Sequence, residues 1–296
     1  GYKIANGSTE ADTYFTSDKP LSYDLQLNPE GEIELVTHTH RYTVWEADGS
    51  VLTGTCKTTG CNATEKKLIL TAEGGTYTGQ PFAAELTGDI DAVEDQPLLI
   101  YYEEVDQEPN HEKSTQPPKD AGRYVASVTV GGAVAEVEFT IDRKTLTDEM
   151  LRVTPESRTY TGKAQTVDVQ VMDGELILEA EKDYTVSYAD NTDAGRAKVT
   201  VTGKGNYAGE TSAEFAIEPA DVSALQMQTE TGPFVYNGGF KTPAVTLTYG
   251  DLTLEEGRDY RAEYTDNVNA GTATVTVTGE GNYKGTQSAA FIISPA

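Results

Sequence analysis

The sequence predicts an all-β chain of small sandwich modules arranged in an elongated series. Three observations carry that prediction. The stretch from Val199 to Gly209 (VTVTGKGNYAG) returns from Val275 to Gly285 (VTVTGEGNYKG), displaced by 76 residues. From Tyr160 to Ala220, 31 of 61 positions equal their partners without a gap, so the chain is a tandem repeat of one small structural unit. Apolar residues recur at every second position, as in Val167, Val169 and Val171 or Val275 and Val277, which is the period of a half-buried strand and not of a helix. Clusters of Gly, Asn and Asp punctuate these runs roughly every eight to twelve residues, as strand turns do.

In chain order, residues 1–65 lie outside the repeat but still alternate, with Leu25 and Leu27, then Ile33 and Leu35, between polar neighbours. They are expected to form an N-terminal β module that holds both cysteines. Residues 66–142 are a diverged copy: Tyr77-Thr-Gly79 answers Tyr160-Thr-Gly162, and Phe139-Thr-Ile141 answers Phe215-Ala-Ile217. This copy carries an acidic, proline-containing insertion at 103–120, and Gly131-Gly132 replaces the Gly-x-Gly-Asn-Tyr turn as a short hairpin signal. Residues 143–218 and 219–296 are the two close copies, with Thr at the positions between the apolar ones, as suits an exposed β surface. Short alternating strands with such turns indicate immunoglobulin-like sandwiches. A β-grasp-like module is the alternative, if the Asp221 to Leu225 region forms a helical turn. One module's last strand runs almost directly into the next at Glu218-Pro219-Ala220, which limits bending.

Composition excludes several functions. With 48 acidic and 22 basic residues, the formal charge of −26 repels phosphate and anionic lipid, so neither nucleic acid nor a membrane surface is an expected partner. No apolar run approaches the roughly 20 residues of a spanning helix. A monomer is expected.

The pattern Tyr-x-Gly, then Asp-Tyr-x-x-x-Tyr, then Asp-Asn-x-x-Ala-Gly, then Val-Thr-Val-Thr-Gly-x-Gly-Asn-Tyr-x-Gly, then Phe-x-Ile resembles the bacterial immunoglobulin-like tandem repeats of Gram-positive cell-surface proteins. Those repeats are grouped with the Tyr-Asp-Gly and mucin-binding-protein-like types. The resemblance covers 143–296 well and 66–142 in part. It implies an extracellular, secreted or cell-wall-attached protein in which the modules form a stalk, and it implies no ligand.

Candidate sites divide into three groups. His38, His40, Cys56 and Cys61 offer the two imidazoles and two thiolates of a tetrahedral zinc site. In an oxidising compartment Cys56 and Cys61 instead close a short disulfide, which is the preferred reading, with two unrelated thiols as a third. Two hairpin registers are open: a two-residue turn at Asp48-Gly49 sets Cys56 opposite Arg41, and a three-residue loop sets it opposite Tyr42 and on the histidine face.

The insertion, with Tyr101, Tyr102, Glu103, Glu104 and His111, is the candidate binding loop for a host or environmental glycan or protein, since irregular loops on rigid scaffolds carry binding. The remaining group is structural. Asp190, Asn191 and Gly195, with Asp266, Asn267 and Gly271, read as turns whose Asx side chains bond their own backbone. They do not read as EF-hand loops, because Val201 and Val277 stand where the bidentate Glu belongs. Calcium between modules, near Asp89, Asp91, Glu94 and Asp95, is a minor alternative. Asn206-Tyr207 and Asn282-Tyr283 read as a buried ring whose hydroxyl reaches backbone, as in a tyrosine corner.

No catalytic set emerges. All three histidines fall within the first 111 residues, there is no Gly-x-Ser-x-Gly elbow, and paired carboxylates mean nothing in so acidic a chain. The expected function is a non-catalytic spacer or adhesin stalk requiring no cofactor. The alternatives are a binding module using the 103–120 loop and the accessory region of a surface hydrolase.

Overall fold

The computed structural model describes residues 23–27, 33–37, 40–57, 63–93, 96–106 and 113–296. The chain divides into two compact units, Gly1–Lys144 and Thr145–Ala296. Among the described residues there is no α-helix, and the only helical segments are three-residue 3-10 turns at Ile90–Ala92, Asp148–Met150 and Val222–Ala224.

In the first unit, Tyr23–Leu27 (β1) and Ile33–Thr37 (β2) pair antiparallel, with Leu25 opposite Leu35 and Leu27 opposite Ile33. The body of the unit comprises Tyr42–Asp48 (β3), Val51–Cys56 (β4), Lys66–Thr71 (β5), Gly75–Thr76 (β6), Glu85–Gly88 (β7), Ile100–Glu104 (β8), Gly122–Val130 (β9) and Ala133–Asp142 (β10). Its two sheets run β3-β4-β5-β7 and β6-β10-β9-β8. Trp45, Leu52, Leu68 and Leu70 from the first sheet meet Ala126, Val128, Val130, Phe139 and Ile141 from the second in one buried cluster.

The expected boundary at 65/66 therefore falls inside a sheet. Leu52 pairs with Leu68 and Thr53 with Lys67 across it, and residues 42–142 form a single sandwich. The reason is physical: Trp45 of β3 and Leu52 of β4 belong to the same buried cluster as Leu68 and Leu70 of β5, so the layer facing β9 and β10 includes all of them. Gly131-Gly132 is the two-residue hairpin turn expected, with φ of +56° and +87° and Val130 opposite Ala133. Gly131 also lies under the indole, since a Cβ there would stand 2.8 Å from Trp45 Cδ1.

The second unit contains two sandwiches with matching strand order. In the third module, Leu151–Thr154, Asp168–Asp173 and Leu176–Ile177 form one sheet. Ser157–Thr159, Glu210–Glu218, Gly195–Gly203 and Tyr184–Ala189 form the other, in that order. The fourth module repeats this with Gln226–Thr229, Val245–Tyr249 and Leu252–Thr253 against Phe234–Val235, Thr286–Ser294, Gly271–Gly279 and Tyr260–Thr265. Registers agree as well: Ala197 opposes Phe215, and Ala273 opposes Phe291.

In each copy the opening segment divides between the sheets. Its second half runs parallel to the module's last strand, Thr159 beside Glu218 and Val235 beside Ser294. The alternation is realised directly, since Val199, Val201, Val275 and Val277 are fully buried and the threonines between them are not. The helical turn sought for a β-grasp exists at Val222–Ala224, where Asp221 Oδ1 accepts the Ser223 N–H at 2.8 Å. Three residues cannot cross a sheet, and the modules are two-layered immunoglobulin-like sandwiches.

Candidate functional site

The repeated turns are linked to one another, and the place where they meet is the junction between the third and fourth modules. Within a module, Tyr188 donates its hydroxyl to Val167 O at 2.8 Å, and its counterpart Tyr264 to Pro243 O at 2.7 Å. Asn191 Nδ2 donates to Gln165 O at 2.7 Å while Gln165 N–H returns a bond to Asn191 O at 2.7 Å. Asn267 and Lys241 repeat that exchange at 2.9 and 2.8 Å.

The expectation that these Asn side chains bond their own turn is thus corrected: each ties two loops 26 residues apart in sequence. The positive φ lies on Asp190 (+54°) and Asp266 (+56°) as well as on Gly195 and Gly271. With both loops pinned, each module ends in a firm edge made of its Tyr-x-Gly corner and its Asp-Asn-x-x-Ala-Gly corner.

The fourth module's Gly-Asn-Tyr turn sits on that edge of the third. Ala194 N–H donates to Asn282 Oδ1 at 2.7 Å, and Asn282 Nδ2 donates to Asp193 Oδ1 at 3.0 Å. The Asn282 carbonyl accepts the Ala220 N–H at 3.0 Å, so one residue bonds the third module with its side chain and the incoming chain with its backbone. Tyr283 packs edge-on against Tyr160 (centroids 5.4 Å) and Tyr249 (6.2 Å), and Tyr249 Oη donates to Tyr160 O at 3.0 Å. Leu252 lies over Gly162, where no Cβ fits without displacing it. Lys284 Nζ stands 3.3 Å from Glu218 Oε2. Tyr160, Val167, Phe215 and Ile217 join Val222, Leu225, Leu247, Tyr260 and Tyr283 in one buried cluster that is continuous through the junction.

Removing the Asn282 amide by Asn282→Ala is expected to cost about 1–2 kcal/mol, the worth of two partly exposed hydrogen bonds. Denaturant unfolding of the second unit measures it, and faster exchange of the Ala194 amide localises it.

Electrostatics follow from burial. Burial, reinforced by the neighbouring Tyr160 and Asp259, pushes the Tyr283 phenol well above its ordinary range. Arg258 grips the buried Asp259 with two bonds, Nε to Oδ1 at 3.0 Å and Nη2 to Oδ2 at 2.7 Å, and Asp259 Oδ2 also accepts the Glu255 N–H at 2.9 Å. The Arg258 bond, followed by the backbone bond, holds the Asp259 carboxyl below the usual carboxylate range. A depressed folded pKa contributes stability that is complete above the unfolded pKa of about 3.9 and is lost as pH falls through the folded value. The stability difference between the parent chain and Asp259→Asn is therefore expected to shrink below about pH 4, read from urea midpoints at a series of pH values.

Tyr207, the third module's counterpart of Tyr283, buries its ring as expected. Its hydroxyl donates to the Asp173 carboxylate at 3.2 Å, and Asp173 stands where the fourth module has Tyr249. Asn206 precedes it in the same turn.

The other candidates are placed as follows. His38, Cys61, His111, Glu94 and Asp95 lie outside the described residues. Cys56 faces Tyr42, but by neither register anticipated: the turn is Gly49-Ser50, with Asp48 opposite Val51, and a bulge at Thr43 shifts the pairing by one. The His40 ring lies 6.5 Å from that of Tyr42, and both line a cavity of about 400 Å³ with Lys66, Asp89 and Asp91. The Asp89 carboxylate is engaged there by Lys66 Nζ (3.1 Å) and the Lys67 N–H (2.9 Å).

In the insertion, Tyr102 is corrected from a binding to a core residue: it is buried, and its hydroxyl accepts the Ala84 N–H at 2.9 Å. Alternation in β8 explains this, since Tyr101 and Glu103 take the other face. Glu103 pairs with Lys113 at 3.3 Å, Glu104 ends the strand, and Ser114 returns two backbone bonds to Tyr102 (2.7 and 3.0 Å).

Sequence reasoning missed Tyr160, Asp193, Ala194 and Tyr249 as junction residues. Tyr160 and Ala194 repeat as Tyr236 and Ala270, so nothing in the letters marks one copy as covered. The signal available for Tyr249 was its break with the repeat at Asp173.

No family model and no curated protein matches the chain. Among solved structures, it is similar to an I-band fragment of titin (12% identity over 79% of this chain and 100% of that one, TM-score 0.25). It is also similar to immunoglobulin domains of Sidekick-1 (10% identity, 92% and 71%, TM-score 0.26) and of the Down Syndrome Cell Adhesion Molecule (12% identity, 92% and 49%, TM-score 0.18). The fold assignment rests on the strand order and registers above: this is a chain of immunoglobulin-like sandwiches in tandem.

Proposed function

We propose that this chain is a non-catalytic spacer, the stalk of an extracellular bacterial surface protein of the adhesin kind. The observation that carries the reading is the junction. The third and fourth modules share one buried cluster and an Asn282 bridge, so the later module is held at a set orientation on the earlier one, as a spacer needs and a flexible tether does not. The acidic surface, which keeps such an array soluble and apart from anionic lipid, supports it. The resemblance of the repeat to Gram-positive surface proteins supplies the setting.

Antibodies raised against the full chain are expected to label intact cells of the source organism. Label that appears only after lysis would overturn the extracellular reading.

A second reading keeps the insertion as a glycan- or protein-binding loop, favoured by the partly exposed positions of Tyr101 and Glu103 beside the strand-like return at Ser114. Deleting residues 107–112 and comparing adhesion to mucin tests it. Unchanged adhesion, or none to begin with, removes the loop.

A further inference from the structure

The junction described above uses an edge that the fourth module also possesses, and there it is uncovered. Position by position, 76 residues on, Tyr160 becomes Tyr236, Gly162 becomes Gly238, Asp193 becomes Asn269 and Ala194 becomes Ala270. The scaffold of the edge is the same. Tyr236 N–H bonds Ser294 O at 2.9 Å as Tyr160 N–H bonds Glu218 O at 2.8 Å, and the Asn267–Lys241 exchange locks the two loops as Asn191–Gln165 does.

Exposure differs sharply: Tyr160 is 9% exposed under the fourth module and Tyr236 is 40% exposed, and Phe240, four residues on, is 79% exposed. Ala270 is exposed, and among the described residues its N–H has no acceptor, whereas that of Ala194 has Asn282 Oδ1. Three groups that the third module uses to hold a neighbour are therefore presented again: an aromatic ring at Tyr236, a glycine corner at Gly238 and an amide donor at Ala270. The Asn269 side-chain oxygen can accept where Asp193 Oδ1 does.

We propose that this edge of the fourth module is a docking surface whose occupant is a further module of the same repeat, received through its Gly-x-Gly-Asn-Tyr turn. The amide of the Asn takes the Ala270 N–H and donates to Asn269, the Tyr ring packs on Tyr236, and Phe240 adds apolar contact that its counterpart Ala164 cannot supply in the third module. The commitment to this occupant comes from the same chain, where the equivalent edge is seen covered by such a module. The surface does not depend on where the protein resides.

The test is the full chain extended after Ala296 by a second copy of residues 221–296, which reproduces the spacing that follows Pro219-Ala220. The Ala270 amide is expected to exchange about tenfold or more slowly than in the unextended chain, and Tyr236 to become resistant to nitration. Asn282→Ala in the added copy alone is expected to restore most of the exchange.

Strand amides of the added copy that are protected while Ala270 and Tyr236 behave as before overturn the proposal. So does an added copy that folds only when a Gly-Ser spacer detaches it from the edge. If residues 145–220, the third-module counterpart of 221–296, appended in place of the first extension, likewise leave Ala270 and Tyr236 unchanged, the edge does not recognise this repeat.

Discussion

Tyr283→Ala is expected to destabilise the second unit by about 3–5 kcal/mol, the range for emptying a large aromatic site in a packed core. The ring is only 4% exposed and is shared: it fills the turn of its own module, meets Tyr249 there, and forms the face on which Tyr160 of the preceding module rests. Collapse cannot close the void, because the turn that would have to move is held by the parallel pairing of Ala220 with Tyr283 and by both Asn282 side-chain bonds. The cost should therefore appear twice, as a lower midpoint and as a loss of cooperativity. Calorimetry of the parent chain should show the third and fourth modules melting together, and that of the variant should show them apart. A midpoint shift of under about 1 kcal/mol with an unchanged single transition would mean that the ring is decorative. Tyr283→Phe separates packing from the phenol, since it keeps the edge-on contacts and is expected to lose no more than a single hydrogen bond, about 1 kcal/mol.

Trp45→Ala is the corresponding lesion in the first unit, again about 3–5 kcal/mol. The indole is 6% exposed, donates Nε1–H to Tyr42 O at 2.8 Å, and is flanked by two glycines at which a Cβ would stand 2.8 Å from it, Gly54 on β4 and Gly131 in the β9–β10 turn. Because residues 42–142 form one sandwich, the lesion should speed exchange of the Leu68, Val128 and Ile141 amides, all well beyond residue 65, and leave the Val275 and Val277 amides untouched. Trp45 is the only tryptophan, so in the parent chain its fluorescence reports the unfolding of this sandwich alone. Exchange that quickened only between residues 40 and 57 would restore a separate N-terminal module.

Strand identity was legible from the letters wherever one face meets the core. Phe215 and Ile217 alternate and are buried, and so do Phe291 and Ile293. The Gly131-Gly132 turn was legible too, because two consecutive positive φ values demand such residues. Pairing between distant strands was not. Alternation says that residues 51–56 and 66–71 each have an inner face, but nothing local says that these faces belong to one layer, and the repeat match beginning near residue 66 drew the boundary in the wrong place. The bulge at Thr43 is a second case, invisible because one extra residue in an exposed position leaves no trace in composition. Tyr160 and Tyr236 mark the limit most plainly. They are the same residue in the same repeat position, one covered and one open, and the difference lies wholly in what stands next to them.

The parallel contact between the opening and closing strands of each repeat, Ser157–Thr159 on Ala216–Glu218 and Phe234–Val235 on Ile293–Ser294, bears on how such a chain responds to tension. A pull on the two ends of one module draws these strands in opposite directions along their own axes. The bonds between them are then loaded in shear and must yield together, where a hairpin pulled from its open end would unzip one bond at a time. Each module thus has its resistance placed where the chain enters and leaves it, with the Val-rich core behind as a reserve of length that is released only after that clamp fails.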